Sequence, residues 1–184
     1  MYRIRRSKLK KLILLVLFIS SLFSQTIDVD KSFVKYKVRN MGVRKVYGTI
    51  TGMNGTVKFD SEQPDSAIFD VTVDLNTINT DDKKRDAHLK NEDFFKTDKW
   101  PTIRFKSKMI HKQEDIYSVI GDLTIKDVTK EVQVPFKIDE DDKTIIFTGG
   151  DVVNRLDYNV GVDYNNFKIS TELSVEVVCV VNKN

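Results

Sequence analysis

The sequence contains almost no cysteine, since Cys179 is the only one among 184 residues. A single thiol cannot form an intramolecular disulfide, and it cannot supply the paired thiolates of zinc, haem-attachment or iron–sulfur motifs. The stability of the domain must therefore come from core burial and hydrogen bonds. Because Cys179 shares the apolar parity of its segment, we expect its thiol to be buried and inert.

Sequence signatures of catalysis are also missing. The eight glycines are scattered at turns, so there is no glycine-rich phosphate loop. No serine lies in the Gly-x-Ser-x-Gly context that presents a nucleophile. Asp86 and His88 form an Asp-x-His pair with Asp93 nearby, but no further ligand completes a spacing typical of zinc sites. We therefore predict neither an enzyme nor a metal or cofactor site.

Acidic residues are absent from the start of the chain, where the first is Asp28. Six of the 30 basic residues lie within the first eleven positions, and an apolar run of twelve residues follows at 12–23. This run is shorter than the roughly 20 residues of a membrane-spanning helix, and the pattern is typical of a secretory signal peptide. We predict cleavage after Ser24, a single domain over 25–184, and a periplasmic or secreted location.

The net charge of +3 depends on that leader. Without residues 1–24, 24 basic residues face 27 acidic ones, which gives a net charge of −3. A chain with this balance lacks the basic excess typical of nucleic-acid-binding proteins. We therefore expect no nucleic-acid partner and no stable membrane insertion after cleavage, while a homodimer remains open.

Alternation of apolar and polar residues dominates the rest of the chain. Residues 69–75, for example, are apolar at every odd position and polar at every even one, as in a strand with one dry and one wet face. About eight strands are expected if 44–60 is one long bent strand. The predicted ranges are 32–40, 44–53, 55–60, 67–76, 102–111, 116–126, 128–138, 144–153 and 167–181.

One segment, at about 80–96, departs from this pattern and predicts a short helical excursion. Its interior lacks β-branched residues, and Thr80 is placed to cap a helix that begins with Asp81 and Asp82. Trp100 and Pro101 then return the chain to extended backbone. Strands without a helical layer must bury their dry faces against each other, as in a sandwich or an antiparallel eight-stranded β-barrel. Such a barrel is wide enough to enclose one small ligand.

The order of motifs resembles the YceI-like family of exported, lipocalin-like proteins that bind polyisoprenoid lipids. The resemblance covers about residues 28–181 and is carried by 85–95 (RDAHLKNEDFF), 100–107 (WPTIRFKS), 121–130 (GDLTIKDVTK) and 154–161 (NRLDYNVG). It implies an all-β, lipocalin-like barrel and, less strongly, an isoprenoid or quinone-like ligand, because one scaffold can serve many ligands. Asp127 replaces a usual glycine, and Lys31 and Asn40 stand where relatives often carry histidine.

Together, the alternation and the resemblance predict a cavity lined by the dry strand faces, with Phe94, Phe95 and Trp100 at its mouth. A long lipid chain would bind there through its apolar length, with no cofactor required. The expected lining residues on the strands are Phe69, Val71, Val73, Leu75, Phe105, Phe136, Phe147, Phe167, Ile169 and Leu173.

Two other readings stay open. The dry faces could pack into a solid core, which would suit an exported interaction or stress-response module without a ligand. Alternatively, Asp86 and His88 could serve an exported hydrolase. The simpler interpretation of Arg85, Asp86 and His88 is structural, with hydrogen bonds and an ion pair that hold the excursion onto the barrel.

Overall fold

A computed structural model describes residues 25–114 and 116–183, so the predicted signal peptide at 1–24 lies outside the described residues. The described residues contain one α-helix, α1 (Lys83–Lys90), and ten β-strands. The strands are β1 (Gln25–Ile27), β2 (Phe33–Asn40), β3 (Arg44–Ile50), β4 (Asn54–Lys58), β5 (Ile68–Asp74), β6 (Thr102–Gln113), β7 (Ile116–Ile125), β8 (Val128–Glu140), β9 (Thr144–Asn154) and β10 (Glu172–Lys183). No described helix is both long and apolar enough to cross a membrane.

All the strands belong to one antiparallel sheet that curls into a barrel. Its strand order is β3-β2-β10-β9-β8-β7-β6-β5-β4, and β1 adds to the far part of β10. β3 and β4 run in the same direction and are separated only by residues 51–53. The first pairs with β2 and the second with β5, so this nearly continuous segment joins the two sides of the sheet. The predicted all-β antiparallel architecture is confirmed.

Two short segments fill the gaps beside this bent segment. Next to β3, Asn79 exchanges two main-chain hydrogen bonds with Thr49, of 2.8 and 2.9 Å. Next to β4, the side chain of Gln25 in β1 bonds the main-chain N–H and C=O of Phe59 at 2.8 and 2.7 Å. The helical excursion and β1 therefore cover the strand edges that would otherwise be left open.

The interior is solid at one end of the barrel, which we call the closed end. Val57, Ile145 and Val181 are almost fully buried there. Phe147 packs edge-to-face against Phe59 and Phe69, with ring centroids 5.3 and 5.1 Å apart. Such contacts fix the apolar faces of strands from opposite sides of the barrel. At the other end, β2 ends and β10 begins, and α1 and the loop 155–171 pack there. We call it the open end because the interior reaches the surface beside these segments.

The observed elements differ from the predicted ones in three places. The last strand begins at Glu172, so Phe167 lies in a loop with 63% of its surface exposed. The helix is capped by Asp82, whose carboxylate accepts hydrogen bonds from the N–H groups of Lys84 and Arg85, and Thr80 is not the cap. The three-residue β1 was not predicted, because it is too short to show a period.

Candidate ligand cavity

Above the closed end, the barrel encloses a cavity of about 610 Å³. Its walls come from the inward faces of β2, β3 and β5 through β10, and α1 with the loop 155–171 completes them. A hollow of this size is within the range of small-molecule sites. The cavity reaches the surface at the open end, where the lining residues Met41 and Val152 are also more than half exposed.

Most of the predicted lining residues surround this cavity. Phe94 and Phe95 belong to the lining on the excursion, and Phe94 is nearly fully buried. On the strands and the final loop, the predicted residues that line the cavity are Phe69, Val71, Val73, Phe105, Phe136, Phe147, Ile169 and Leu173. The dry strand faces thus meet around a hollow instead of interlocking completely.

Three of the predicted residues lie outside the lining. The chain leaves β5 in a 3-10 turn at Leu75–Thr77, which turns Leu75 into the solid core. Trp100 packs under the ammonium groups of Lys99 and Lys126, at 4.3 and 5.6 Å, instead of forming the mouth. Phe167 is exposed because its loop is not part of β10.

Several lining residues were missed although their signal was present. β2 contributes Val34, Tyr36 and Val38, which alternate with lysine and arginine. Tyr36 lies across Gly48 on β3, where an added Cβ would come within 2.3 Å of the tyrosine ring. Its hydroxyl is buried without a hydrogen-bond partner among the described residues, and this burial raises the pKa of Tyr36. The ring therefore adds apolar wall, and glycine at position 48 leaves room for it.

Arg155 holds the loop 155–171 over the cavity. It is 4% exposed, and no ion pair to it is found within the described residues. Its guanidinium instead donates to five main-chain carbonyls, and burial lowers the pKa of Arg155. The acceptors are Val160 at 2.9 Å, Gly161, Tyr164 at 2.5 Å, Ile169 at 3.1 Å and Ser170 at 3.2 Å. One side chain thereby sets the shape of the loop that closes the cavity.

Arg85 and Asp86 are engaged with Thr80 at the start of the excursion. The Asp86 carboxylate accepts hydrogen bonds from the Thr80 N–H at 2.9 Å and from its hydroxyl at 2.6 Å. Arg85 donates to the Thr80 hydroxyl and carbonyl at 2.8 and 2.6 Å. Thr80 is nearly buried and borders the cavity. These contacts fix the excursion against the barrel.

His88 connects the excursion to the loop 155–171. Its Nε2 lies 2.9 Å from a carboxylate oxygen of Asp93 and 3.1 Å from the hydroxyl of Tyr164. The His88 and Asp93 side chains are both close to half exposed. Burial and the neighbouring Asp93 raise the pKa of Tyr164. Among residues 25–114 and 116–183, no cluster of three or more His, Cys, Asp or Glu is arranged to hold a metal.

Cys179 lies on the inner face of β10, as its parity predicts. It is buried, borders the cavity, and has its thiol next to the Ser32 hydroxyl. Burial in apolar surroundings raises the pKa of Cys179 to about 12. The thiol is therefore protonated at neutral pH and contributes to the cavity as a small apolar group.

Comparisons with known proteins agree with this architecture. Residues 25–181 match the family model described as the YceI-like domain. The protein YceI of Shigella flexneri is 29% identical over 191 residues, which cover 95% of this chain and all of that protein.

Two solved structures share the fold. BcnA of Burkholderia cenocepacia superposes with a TM-score of 0.78 at 25% identity, over 84% of this chain and 98% of that one. A polyisoprenoid-binding domain from Saccharophagus degradans, implicated in plant cell wall breakdown, gives 0.72 at 14% identity, over 88% and 99%. At 14% identity, the second likeness is one of fold.

Proposed function

The chain belongs to the YceI-like family, and on that premise we propose that it is an exported protein that holds one long apolar lipid, isoprenoid or quinone-like, inside its barrel. The observation that carries the proposal is the cavity of about 610 Å³ enclosed by the dry faces of eight strands. The ligand class named for the Saccharophagus degradans domain is extended here to this chain as part of the proposal.

Burial of the chain would supply most of the affinity. Each buried methylene contributes about 0.8 kcal/mol, so ten of them give a gross gain of about 8 kcal/mol. Association itself costs at least about 4 kcal/mol, which leaves short ligands bound weakly and long ones bound tightly. Specificity then follows the length and width of the cavity, with polar contacts serving mainly to orient the ligand.

Polar side chains that a ligand head group could contact border the cavity at the wall formed by the excursion. Arg85, His88 and Tyr164 border the cavity there. Of the two positions at which relatives often carry histidine, Asn40 borders the cavity, whereas Lys31 is not part of the lining and pairs with Asp28 at 2.9 Å. We therefore propose that head-group contacts in this chain come from the excursion and the loop 155–171.

The two alternative functions have less support. A hydrolase would need a reactive group near Asp86 or His88, but one carboxylate oxygen of Asp86 accepts two hydrogen bonds from Thr80, and His88 is held by Asp93 and Tyr164. A module without a ligand would be expected to fill its interior, because packed cores contain few voids larger than a water molecule. The export and the periplasmic or secreted location in the proposal rest on the leader at 1–24, and a homodimer stays a prediction.

Uptake of a fluorescent prenyl alcohol by the protein freed of lipid tests the proposal. Val175 faces the cavity from β10, and Ser174 beside it faces solvent. We expect Val175→Trp to lower uptake strongly by filling the hollow, while Ser174→Trp, the same change on the outer face, binds like the unaltered protein. Equal uptake by both variants, or no uptake by the unaltered protein, would contradict a ligand in the barrel.

A further inference from the structure

An apolar tip projects at the open end of the barrel. It consists of the β2–β3 turn, residues 41–43, and Phe167 of the neighbouring loop. Met41, Val43 and Phe167 are 56%, 85% and 63% exposed. The Met41 N–H donates to the Lys168 carbonyl at 3.1 Å, and the next N–H along the turn donates to the Phe167 carbonyl at 2.9 Å. The exposed side chains therefore form one patch held together by hydrogen bonds, whereas exposed apolar residues on a soluble protein are usually scattered singly.

Basic residues surround this tip. Lys37 and Arg39 at the end of β2, and Arg44 and Lys45 at the start of β3, are all exposed. Within the described parts of the chain, no carboxylate lies within 4.0 Å of these four groups, although Glu172 borders the same shallow groove. From residue 25 onward the chain carries a net charge of −3, so this positive cluster contrasts with the net negative charge of the domain.

The tip also adjoins the mouth of the cavity. Met41 belongs both to the tip and to the cavity lining, and Lys168 and the exposed Val152 border the cavity at the same end. An apolar surface pressed against the tip would therefore meet the apolar lining without intervening water. This continuity links the exposed patch to the mouth of the cavity at this end.

We propose that the tip docks on a bilayer surface that contains anionic lipids. Met41, Val43 and Phe167 would enter the interfacial region, and the four unpaired cations would face the lipid phosphates, a combination that binds interfaces reversibly. The proposal goes beyond the proposed function, because docking does not need a ligand in the cavity. Where that function also holds, docking presents the mouth to the membrane and gives a lipid chain a dry path into the barrel.

Sedimentation with vesicles tests the docking. Binding is expected to vesicles made of equal parts of phosphatidylcholine and phosphatidylglycerol, and much less to phosphatidylcholine alone. Raising the salt from about 0.1 to about 1 M shortens the Debye length from about 10 to about 3 Å and should release most of the protein. We expect Val43→Ser with Phe167→Ser, and separately Arg44→Gln with Lys45→Gln, each to lower partitioning by about tenfold.

Matched changes at the closed end serve as controls. Ile116 is 50% exposed in the β6–β7 turn, and Lys58 and Lys137 are exposed on the outer surface. Ile116→Ser and Lys58→Gln with Lys137→Gln should bind vesicles like the unaltered protein. Equal binding to both vesicle types, or equal loss in tip and control variants, would overturn the proposal.

A second copy of the chain is the other conceivable occupant of the tip. Sedimentation velocity without lipid distinguishes the two occupants. If the protein is a dimer that Val43→Ser dissociates, and if it does not bind vesicles, the tip serves self-association. The cavity variant Val175→Trp should still dock on vesicles. Loss of docking and loss of lipid uptake are therefore separately measurable.

Discussion

Replacement of Arg155 by methionine should be among the most destabilising single changes in this protein. Arg155 is 4% exposed, and its guanidinium donates to five main-chain carbonyls of the loop that covers the cavity. Methionine fills similar space but donates no hydrogen bond, so the carbonyls that stay buried lose their partners. A hydrogen bond to a charged group contributes about 1.5–3 kcal/mol, and two unreplaced bonds would cost about 3–6 kcal/mol.

Urea unfolding followed by circular dichroism measures this loss. With an m-value of about 2 kcal/mol per molar, the unfolding midpoint should fall by about 1.5–3 M. Arg155→Lys keeps the charge, but lysine carries its three donors on one atom and cannot reach all five carbonyls. We therefore expect it to lower the free energy of unfolding by an intermediate amount. The matched control is Arg104→Met, which removes an exposed arginine paired with Asp70 at 2.7 Å and should cost no more than about 1 kcal/mol. If Arg155→Met lost no more than that control, the assigned role of Arg155 would be wrong.

Three further predictions follow from other parts of the barrel. Because burial raises the pKa of Cys179 to about 12, a thiol reagent at pH 8 should label the protein only after it is unfolded in urea. Rapid labelling of the folded protein would contradict that burial. Gly55 has φ +133°, and an added Cβ would lie 2.1 Å from the Asp70 carbonyl oxygen. Gly55→Ala should therefore lower the free energy of unfolding by at least about 2 kcal/mol. The control Thr56→Ala, at the next residue, should change it little. The hydrogen bonds from Arg104 lower the pKa of Asp70. The small stabilisation that Asp70 gives is therefore present above about pH 4 and is lost as the pH falls through the lowered pKa. The difference in free energy of unfolding between the unaltered protein and Asp70→Asn should vanish in acid, and a difference that grows there would refute this assignment.

The sequence predicted the strands and their inward faces well, because a half-buried strand imposes a period of two residues. Residues 69–73 on β5 show this, since Phe69, Val71 and Val73 all reach the cavity. The same rule failed at Phe167, where the alternation continues through a loop. That loop meets the end of β2 and the following turn through the isolated bridge between Asn40 and Ile169 and a few main-chain hydrogen bonds, and it lacks the continuous strand pairing that would turn Phe167 inward.

The parts that depend on distant contacts were not predictable in this way. Arg155 occurs in the motif at 154–161 that carried the family resemblance, yet its five acceptors are main-chain carbonyls, which leave no trace in residue types. The basic cluster around the tip was hidden for another reason. Net charge sums over the whole chain and so conceals the acid-free stretch at 35–45, whose Lys37, Arg39, Arg44 and Lys45 the pairing of β2 with β3 gathers around the turn.

Native mass spectrometry of the protein purified without added lipid tests the central claim most directly. If the dry strand faces enclose a lipid chain, the folded protein should carry one extra mass of several hundred daltons. Organic extraction should release that mass as a prenyl or long-chain lipid, and Val175→Trp should lack it. A protein that is always empty, and that takes up neither prenyl lipids nor fatty acids when they are supplied, would contradict the claim.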